Sequence, residues 1–484
     1  MTDPLNSLSP RLAAAYDPEM FRAQGHALVD RLADHLARCQ ERSLPTSYPA
    51  PEPAVERAFW AERLSDVTLE DLLQLTMERS NQLHDPRYMG HQVAVPMPSA
   101  ALAGLLTDLL NNGQAIYEMG PSNAALEELL MAEIGEALGL PAGCGGILCH
   151  GGTLGNLVAL LAAQRRWAPE TWVDGVTAAQ PVAVFVSAQA HYCIDRAVRL
   201  LGWGQAAVVQ IPTDHHHRLR LDELERLAKQ ARLDGRHPLA VVGSACTTST
   251  GAFDNLEELA DWAAANGVWF HVDGAHGAPA AFSETHRHLV AGIGRADSIV
   301  MDFHKLCGLP ALCTGVFYRD VGMSYLPFLQ EAEYLWTNAA KPDWWDTGKR
   351  TLECTKRMLS TRLAAVRAEH GWSIWGDLVD QLFATAAAFA AEVEQRPGWE
   401  LAMPPQANIV CFRPLDEAAG RKERLAALRE AYLRHGSGYI VATSFDGEPW
   451  LRCTFMNPLT EPADFCEMLD ELTQRLATPQ FADK

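Results

Sequence analysis

Four short stretches of the chain combine residue types that could do chemistry. Asp302-Phe303-His304-Lys305 follows the β-branched run 298–301 and precedes the small, apolar Leu306-Cys307-Gly308-Leu309. A lysine desolvated there loses basicity and becomes a nucleophile toward carbonyl carbon. Asp273 ends the run 269–272 within His-Val-Asp-Gly-Ala-His-Gly; a half-buried carboxylate stays ionised when a cation pairs with it. His191 lies just past the run 182–186, and an imidazole at such a place can stack on a flat ring or shuttle protons. Gly151-Gly152-Thr153-Leu154-Gly155-Asn156 opens a helical run at 157–161. Glycines and a hydroxyl at a helix N-terminus offer amides and a favourable dipole to a phosphate. The stretch is neither a Walker A loop nor a Rossmann fingerprint. Each stretch also has a plain structural reading: an exposed lysine, a helix cap, a packed histidine, a tight turn before a helix.

Taken together, the four describe a phosphate cradle, a ring-stacking group, a carboxylate for a pyridinium nitrogen and a Schiff-base lysine. Those are the protein's tasks in pyridoxal 5'-phosphate chemistry. The 32 residues from Asp273 to Lys305 accommodate one helix and one strand, which puts both on neighbouring strand ends.

With GGTLGN, SAQAH, HVDGAHG and DFHK in that order, the sequence resembles the group II pyridoxal-phosphate-dependent amino acid decarboxylases, from His84 to Pro458. That family includes glutamate, cysteine sulfinate, aromatic and diaminobutyrate decarboxylases. The resemblance implies an aspartate-aminotransferase-type (fold type I) α/β fold, with a large doubly wound domain and a small C-terminal α+β domain. It also implies a homodimer with interfacial sites. By the same resemblance Lys305 bonds the cofactor and Asp273 faces the ring nitrogen. Ala275 lies under the ring, and His191 stacks on it. Thr153, Leu154 and His304 serve the phosphate, and Thr248 lies near the cofactor. Asp302 stands where relatives often have Asn or Ser. Tyr334, in the stretch 331–346, matches a catalytic-loop tyrosine that protonates the substrate carbon, which favours simple decarboxylation. Arg452 matches an arginine that holds a side-chain carboxylate, and His91 replaces an expected glutamine and is closer to the diamine-forming branch. The implied reaction is α-decarboxylation of an L-amino acid to a primary amine and CO2. The segments around 304–313 and 345–354 lean it toward glutamate, aspartate or cysteine sulfinate. The alternatives are a diaminobutyrate or aromatic amino acid decarboxylase, or another fold type I pyridoxal enzyme.

The elements that must position these residues are legible as patterns. Short apolar runs at 182–186, 207–211, 239–242, 269–272, 298–301 and 315–318 alternate with helical text at 194–201, 221–233 and 256–266. Continuous apolar strands alternating with helices predict a largely parallel sheet covered on both faces, with ligands at the carboxyl ends of its strands. Helical text also fills 99–110 and 123–138. Asp17-Pro18 predicts a helix start, and 43–53, with four prolines, a linker. After about residue 361 the pattern predicts one long alanine-rich helix over 363–393, strands at 408–412, 439–443 and 451–455, and helices at 417–434 and 462–476. The expected organisation is an arm and linker over 1–87 packed on a partner subunit, a cofactor-binding domain over 88–360 with its loop near 331–346, and a small domain over 361–484.

Composition bounds the rest. The 484 residues hold 60 Asp+Glu against 40 Lys+Arg, for a formal charge of −20, with 48% hydrophobic and 21% charged residues. That is a packed globular chain. The acidic balance excludes nucleic acid and anionic membrane as main partners, and no run reaches the roughly 18 apolar residues of a membrane span. Eleven scattered cysteines and the lack of a signal-peptide pattern in MTDPLNSLSP predict a reducing cytoplasm and no metal site. The histidine run 215–217 follows Pro212-Thr213 and reads as a solvated turn. The negative field would oppose an acidic substrate, so the site needs local cations such as Arg452 or Arg357.

Overall fold

The computed structural model describes residues 4–49, 51–328, 343–415 and 421–478. Its larger sheet has seven strands: β1 (Gly145–Cys149), β2 (Val182–Ser187), β3 (Val208–Ile211), β4 (His237–Ser244), β5 (Trp269–Asp273), β6 (Ser298–Asp302) and β7 (Thr314–Tyr318). They lie in the order β1-β7-β6-β5-β4-β2-β3. The pairs β2/β3, β2/β4, β4/β5 and β5/β6 are parallel, while β7 runs antiparallel to β6 and β1. Strands β1, β2, β6 and β7 are buried at every residue, as befits a sheet with helices on both faces. One apolar cluster packs Leu224, Leu259 and Phe270 on one face, and another packs Ala159, Ile194 and Val300 on the other.

Four further strands, β8 (Trp399–Leu401), β9 (Ile409–Pro414), β10 (Val441–Phe445) and β11 (Glu448–Thr454), form an antiparallel sheet in the order β10-β11-β9-β8. A third cluster around Phe389, Phe412 and Phe465 packs beneath it. Residues 87–97 join the two sheets. Tyr439 N donates to Arg87 O, and Thr454 N donates to Met89 O. Further along, Ala94 N and Met97 N donate to His304 O and Gly308 O beside Lys305. A buried Arg87–Asp85 ion pair at 2.6 Å anchors this strap.

The single helix expected over 363–393 is two, Leu359–His370 and Ser373–Gln395. Gly371 takes φ +70° between them, a conformation that ends a right-handed helix. The break lets Trp375 turn inward and donate from Nε1 to Cys307 O at 3.2 Å, directly behind the Lys305 turn. Helices Pro53–Arg63 and Leu69–Arg79, and strands β1 and β8, were not expected from the pattern. The predicted cap is present: Asp17 accepts from Glu19 N and starts helix Pro18–Gln40. Among the described residues no helix is long and apolar enough to cross a membrane. All eleven cysteines are free, and only Cys354 is exposed.

Candidate active site

Strands β4, β5 and β6 end side by side, with Ser244 opposite Asp273 and Asp273 opposite Val300. Above these carboxyl ends lies a cleft of about 310 Å³. Thr153, His191, Thr248, Asp273, Ala275, His304 and Lys305 all line it. Seven expected residues drawn from five separate stretches therefore converge.

The end of the cleft where the sequence predicts a phosphate cradle is built by Gly151, at φ +100°, and by helix Gly152–Trp167, whose first turn no side chain caps. Its leading amides are left for a ligand. A Cβ at residue 152 would press to 2.8 Å from Asp302 Oδ2, so the cradle can close on the sheet only with glycine there. Leu154 does not line the cleft. Its amide donates back to Gly151 O and its side chain packs on the second apolar cluster.

Asp302 is the electrostatic centre. Lys305 Nζ donates to its Oδ2 at 2.9 Å, Thr314 Oγ1 donates to its Oδ1 at 2.5 Å, and His304 Nε2 lies 3.8 Å away. The sequence predicts a lysine of lowered basicity, and the structure differs. Burial does push the Lys305 ammonium down, and it is the largest single influence. Asp302, with Asp273 and Cys193, outweighs it, so the net shift is upward. The chain supplies Lys305 with its own counter-ion.

A relay that the motifs did not reveal holds the cradle to β5. Trp269 Nε1 donates to Ser298 Oγ (2.9 Å), whose hydroxyl donates to His271 Nδ1 (2.9 Å). His271 Nε2 donates to Asn156 Oδ1 (2.7 Å), and Asn156 Nδ2 donates to Gly152 O (3.0 Å). Burial pushes His271 down to about 4, so the ring is neutral, as the relay requires. His276, also in the cleft wall, donates from Nε2 to Asn408 Oδ1 at 2.8 Å, and burial pushes it down to about 3. His191 Nδ1 accepts from Cys193 N at 3.3 Å, and burial lowers its basicity too. Cys246, buried beside Thr247, has φ +74°, a strained conformation for a non-glycine residue. A signal for His271 and His276 existed, since both flank Asp273 in one motif. Asn408 and Ser298 carried none.

Three residues expected near the substrate stand outside the lining. Arg452, on β11, is 7% exposed. It donates from Nη1 to Thr248 O at 2.6 Å, its Nε has no partner, and no carboxylate pairs with it among the described residues. His91 is exposed at the end of the strap, with Tyr439 Oη 2.9 Å from its Nε2. Arg357 is exposed and pairs with Asp108 at 3.6 Å, so it is not a cation of the cleft. Tyr334 lies outside the described residues.

An uncapped helix N-terminus, an amine on a carboxylate, a second carboxylate one strand away and a histidine over the gap fit pyridoxal phosphate. Comparison with known proteins agrees. The model of the pyridoxal-dependent decarboxylase conserved domain matches residues 57–414. Cysteine sulfinic acid decarboxylase of Mus musculus is 30% identical over 406 residues, covering 80% of this chain and 81% of that protein. L-2,4-diaminobutyrate decarboxylase of Rhizobium meliloti is 30% identical over 410 residues, covering 84% and 80%. A crystal structure of mouse CSAD superposes with a TM-score of 0.87 at 27% identity, covering 95% of this chain and 99% of that one. The chain belongs to the pyridoxal-dependent decarboxylase family. It is an amino acid carboxy-lyase of the fold type I class, and its cofactor is pyridoxal phosphate.

Proposed function

We propose that this enzyme removes the α-carboxylate of an acidic L-amino acid, with cysteine sulfinate, aspartate and glutamate as the candidate substrates. The supporting observation is Arg452, a buried guanidinium beside Thr248 with no carboxylate partner among the described residues. A buried charge without a counter-ion is costly, and a substrate's acidic group offsets that cost. The cysteine sulfinic acid relative points the same way. A diaminobutyrate substrate is the second reading, favoured by the exposed His91 and the charge of −20.

In this reading the chain's residues divide the work. The amides of Gly152 and Thr153, with the Thr153 hydroxyl and His304, hold the phosphate. Asp273 would hold a proton on the ring nitrogen. His191 and Ala275 would hold the ring between them with Thr248 beside it, while Leu154 supports the cradle from the apolar cluster behind it. Lys305 would anchor the cofactor covalently, and Asp302, 2.9 Å from Nζ, would keep a proton available there. The bound cofactor supplies a sink for the electron pair that CO2 leaves behind. Tyr334 returns a proton to the substrate carbon as general acid. Orientation and electrostatics are the protein's main contributions.

The domain division at residues 87 and 360 is part of the same proposal, as are a cytoplasmic location and a homodimer. Leu102, Leu106 and Leu109 on helix Pro98–Leu110 are 57%, 51% and 62% exposed, an apolar face that a second copy would cover. The test of the reading is release of CO2 and amine by the holoenzyme from cysteine sulfinate, aspartate, glutamate, diaminobutyrate, lysine and aromatic amino acids. The expected result is turnover of an acidic substrate. Turnover confined to diaminobutyrate or the aromatics contradicts it.

A further inference from the structure

His150 lines the cleft between the end of β1 and Gly151, and no motif of the sequence marks it. Its neighbour Cys149 lies opposite Thr314, whose hydroxyl donates to Asp302. This is the end of the cleft where helix Gly152–Trp167 leaves its first amides uncapped. The His150 ring is held there from 203 residues away, with its Nδ1 hydrogen-bonded to Glu353 Oε1. Glu353 is itself fixed. Its amide donates to Thr351 Oγ1 at 3.3 Å. Lys356, on the same segment, donates from Nζ to Leu148 O at 2.7 Å, which ties the segment to β1 just before His150.

The direction of the His150–Glu353 bond is forced. A carboxylate only accepts, so Nδ1 donates whether the ring is neutral or charged. Nδ1 is thereby spent, and Nε2 has no partner among the described residues. Four histidines line the cleft, and His150 is the one with a carboxylate hydrogen-bonded to its ring. His276 is tied to Asn408, His304 Nδ1 lies 2.9 Å from Cys313 O, and His191 Nδ1 accepts from Cys193 N.

Charge says what Nε2 is for. The lining holds two carboxylates, Asp273 and Asp302, against one lysine and no arginine. Asp302 lies against the cradle itself, since a Cβ at residue 152 would meet its Oδ2 at 2.8 Å. Its cation is Lys305, at 2.9 Å. A phosphate brought there adds an anion where the one lysine is already taken, so it needs a further proton partner beside the amides and the Thr153 hydroxyl. We propose that His150 is a cofactor-binding residue whose Nε2 shares a proton with the phosphate, and that Glu353 is the positioning residue that holds the ring for it. The proton has a place on either side. A phosphate oxygen that carries hydrogen meets the Nε2 lone pair, and a bare one meets an Nε2–H. With Nδ1 engaged by Glu353 in both states, the ring need not turn between them. This rests on the reading that the cradle holds the phosphate, and adds a residue outside the glycine motif to it.

The test compares two ligands of the cofactor-free full-length chain, pyridoxal 5'-phosphate and pyridoxal. Both offer the same aldehyde to Lys305 and one carries a phosphate, so the ratio of their affinities, read by absorbance titration, isolates the phosphate. His150→Gln is expected to weaken pyridoxal 5'-phosphate about 10- to 100-fold, the scale of one charge-assisted hydrogen bond, and to leave pyridoxal as it was. Glu353→Gln lowers the ratio by less. The double variant is no worse than His150→Gln, because Glu353 acts only through the ring; additive losses would overturn its positioning role. Thr153→Ala probes the cradle separately. If Thr153→Ala lowers the ratio and His150→Gln does not, the proposal is overturned and the cradle stands. If neither variant alters the ratio, the cradle reading falls and the proposal with it. Should His150→Gln lose pyridoxal as well, Glu353→Gln decides: an unchanged ratio overturns the proposal, and a lowered one with pyridoxal binding intact sustains it.

Discussion

Lys305 lines the cleft and Arg452 lies behind its Thr248 wall, and the fold treats these two basic side chains differently. Lys305 has Asp302 at 2.9 Å. Against strand β1, Lys356 is fully buried, pairs with Glu127 and donates to Leu148 O at 2.7 Å. The large sheet thus neutralises its own cations, and this fixes strand ends, cradle and amine before any ligand arrives. Arg452, on the small sheet, has only the Thr248 carbonyl for an acceptor among the described residues, and burial lowers its basicity. The cleft floor is complete in the chain. In the proposed reading, an acidic substrate completes the wall. Preorganisation therefore belongs to the chemistry, and the unfilled interaction to substrate choice.

The largest effect separating the two regions belongs to the floor. Lys305→Ala abolishes turnover, with kcat falling by about four orders of magnitude or more, and the purified protein loses the visible absorbance of its bound cofactor. Retained spectrum and activity would remove Lys305 from the account. Next comes the buried pair. Lys356→Met strands Glu127 and lowers stability by about 3–5 kcal/mol in denaturant titration, whereas Arg452→Met, which removes a charge with no counter-ion, causes no comparable loss. Equal losses from both would erase the distinction between floor and wall. Third, Arg452→Met raises KM for acidic substrates by about 30- to 100-fold, and changes KM for neutral amino acids far less.

The smallest effect is the pH response of the floor. His271 and His276 are held neutral at about 4 and about 3, against an ordinary 6.5. The unfolded chain therefore binds more protons below about pH 6.5, and stability falls as pH drops from there toward those values. At pH 5 each costs about 2 kcal/mol. Thermal unfolding at pH 7 and pH 5 checks this, and His276→Gln should shrink the difference by about one histidine's share. An unchanged difference would mean that His276 is not held neutral.

Much of the floor was legible in the sequence, because sheet chemistry is local in the chain. A parallel strand is a short apolar run, and its functional residue follows at the carboxyl end, as with Asp273 after 269–272 and His191 after 182–186. What escaped depends on local backbone conformation or on contacts between distant segments. Asp302 reads as a substitution in a motif, and its hold on Lys305 emerges only when β6 and the following turn bring them to 2.9 Å. Strand β1 was hidden by Gly145 and Gly146. The helix over 363–393 was read through Gly371, where one positive φ outweighs a strong alanine-rich pattern. The wall was less legible still. Arg452 and His91 could be named, but Tyr439, Thr248 O and the strap that joins them come from three parts of the chain with no shared motif.

The central claim is an anion-seeking wall facing a finished floor, and the most direct measurement is a ratio. CO2 release from aspartate or cysteine sulfinate and from diaminobutyrate, measured side by side on wild type and Arg452→Met holoenzyme, gives kcat/KM for each. The account predicts that wild type favours the acidic substrate and that Arg452→Met loses most of that preference while diaminobutyrate turnover persists. A preference for diaminobutyrate in wild type, or an acid preference untouched by Arg452→Met, would contradict it.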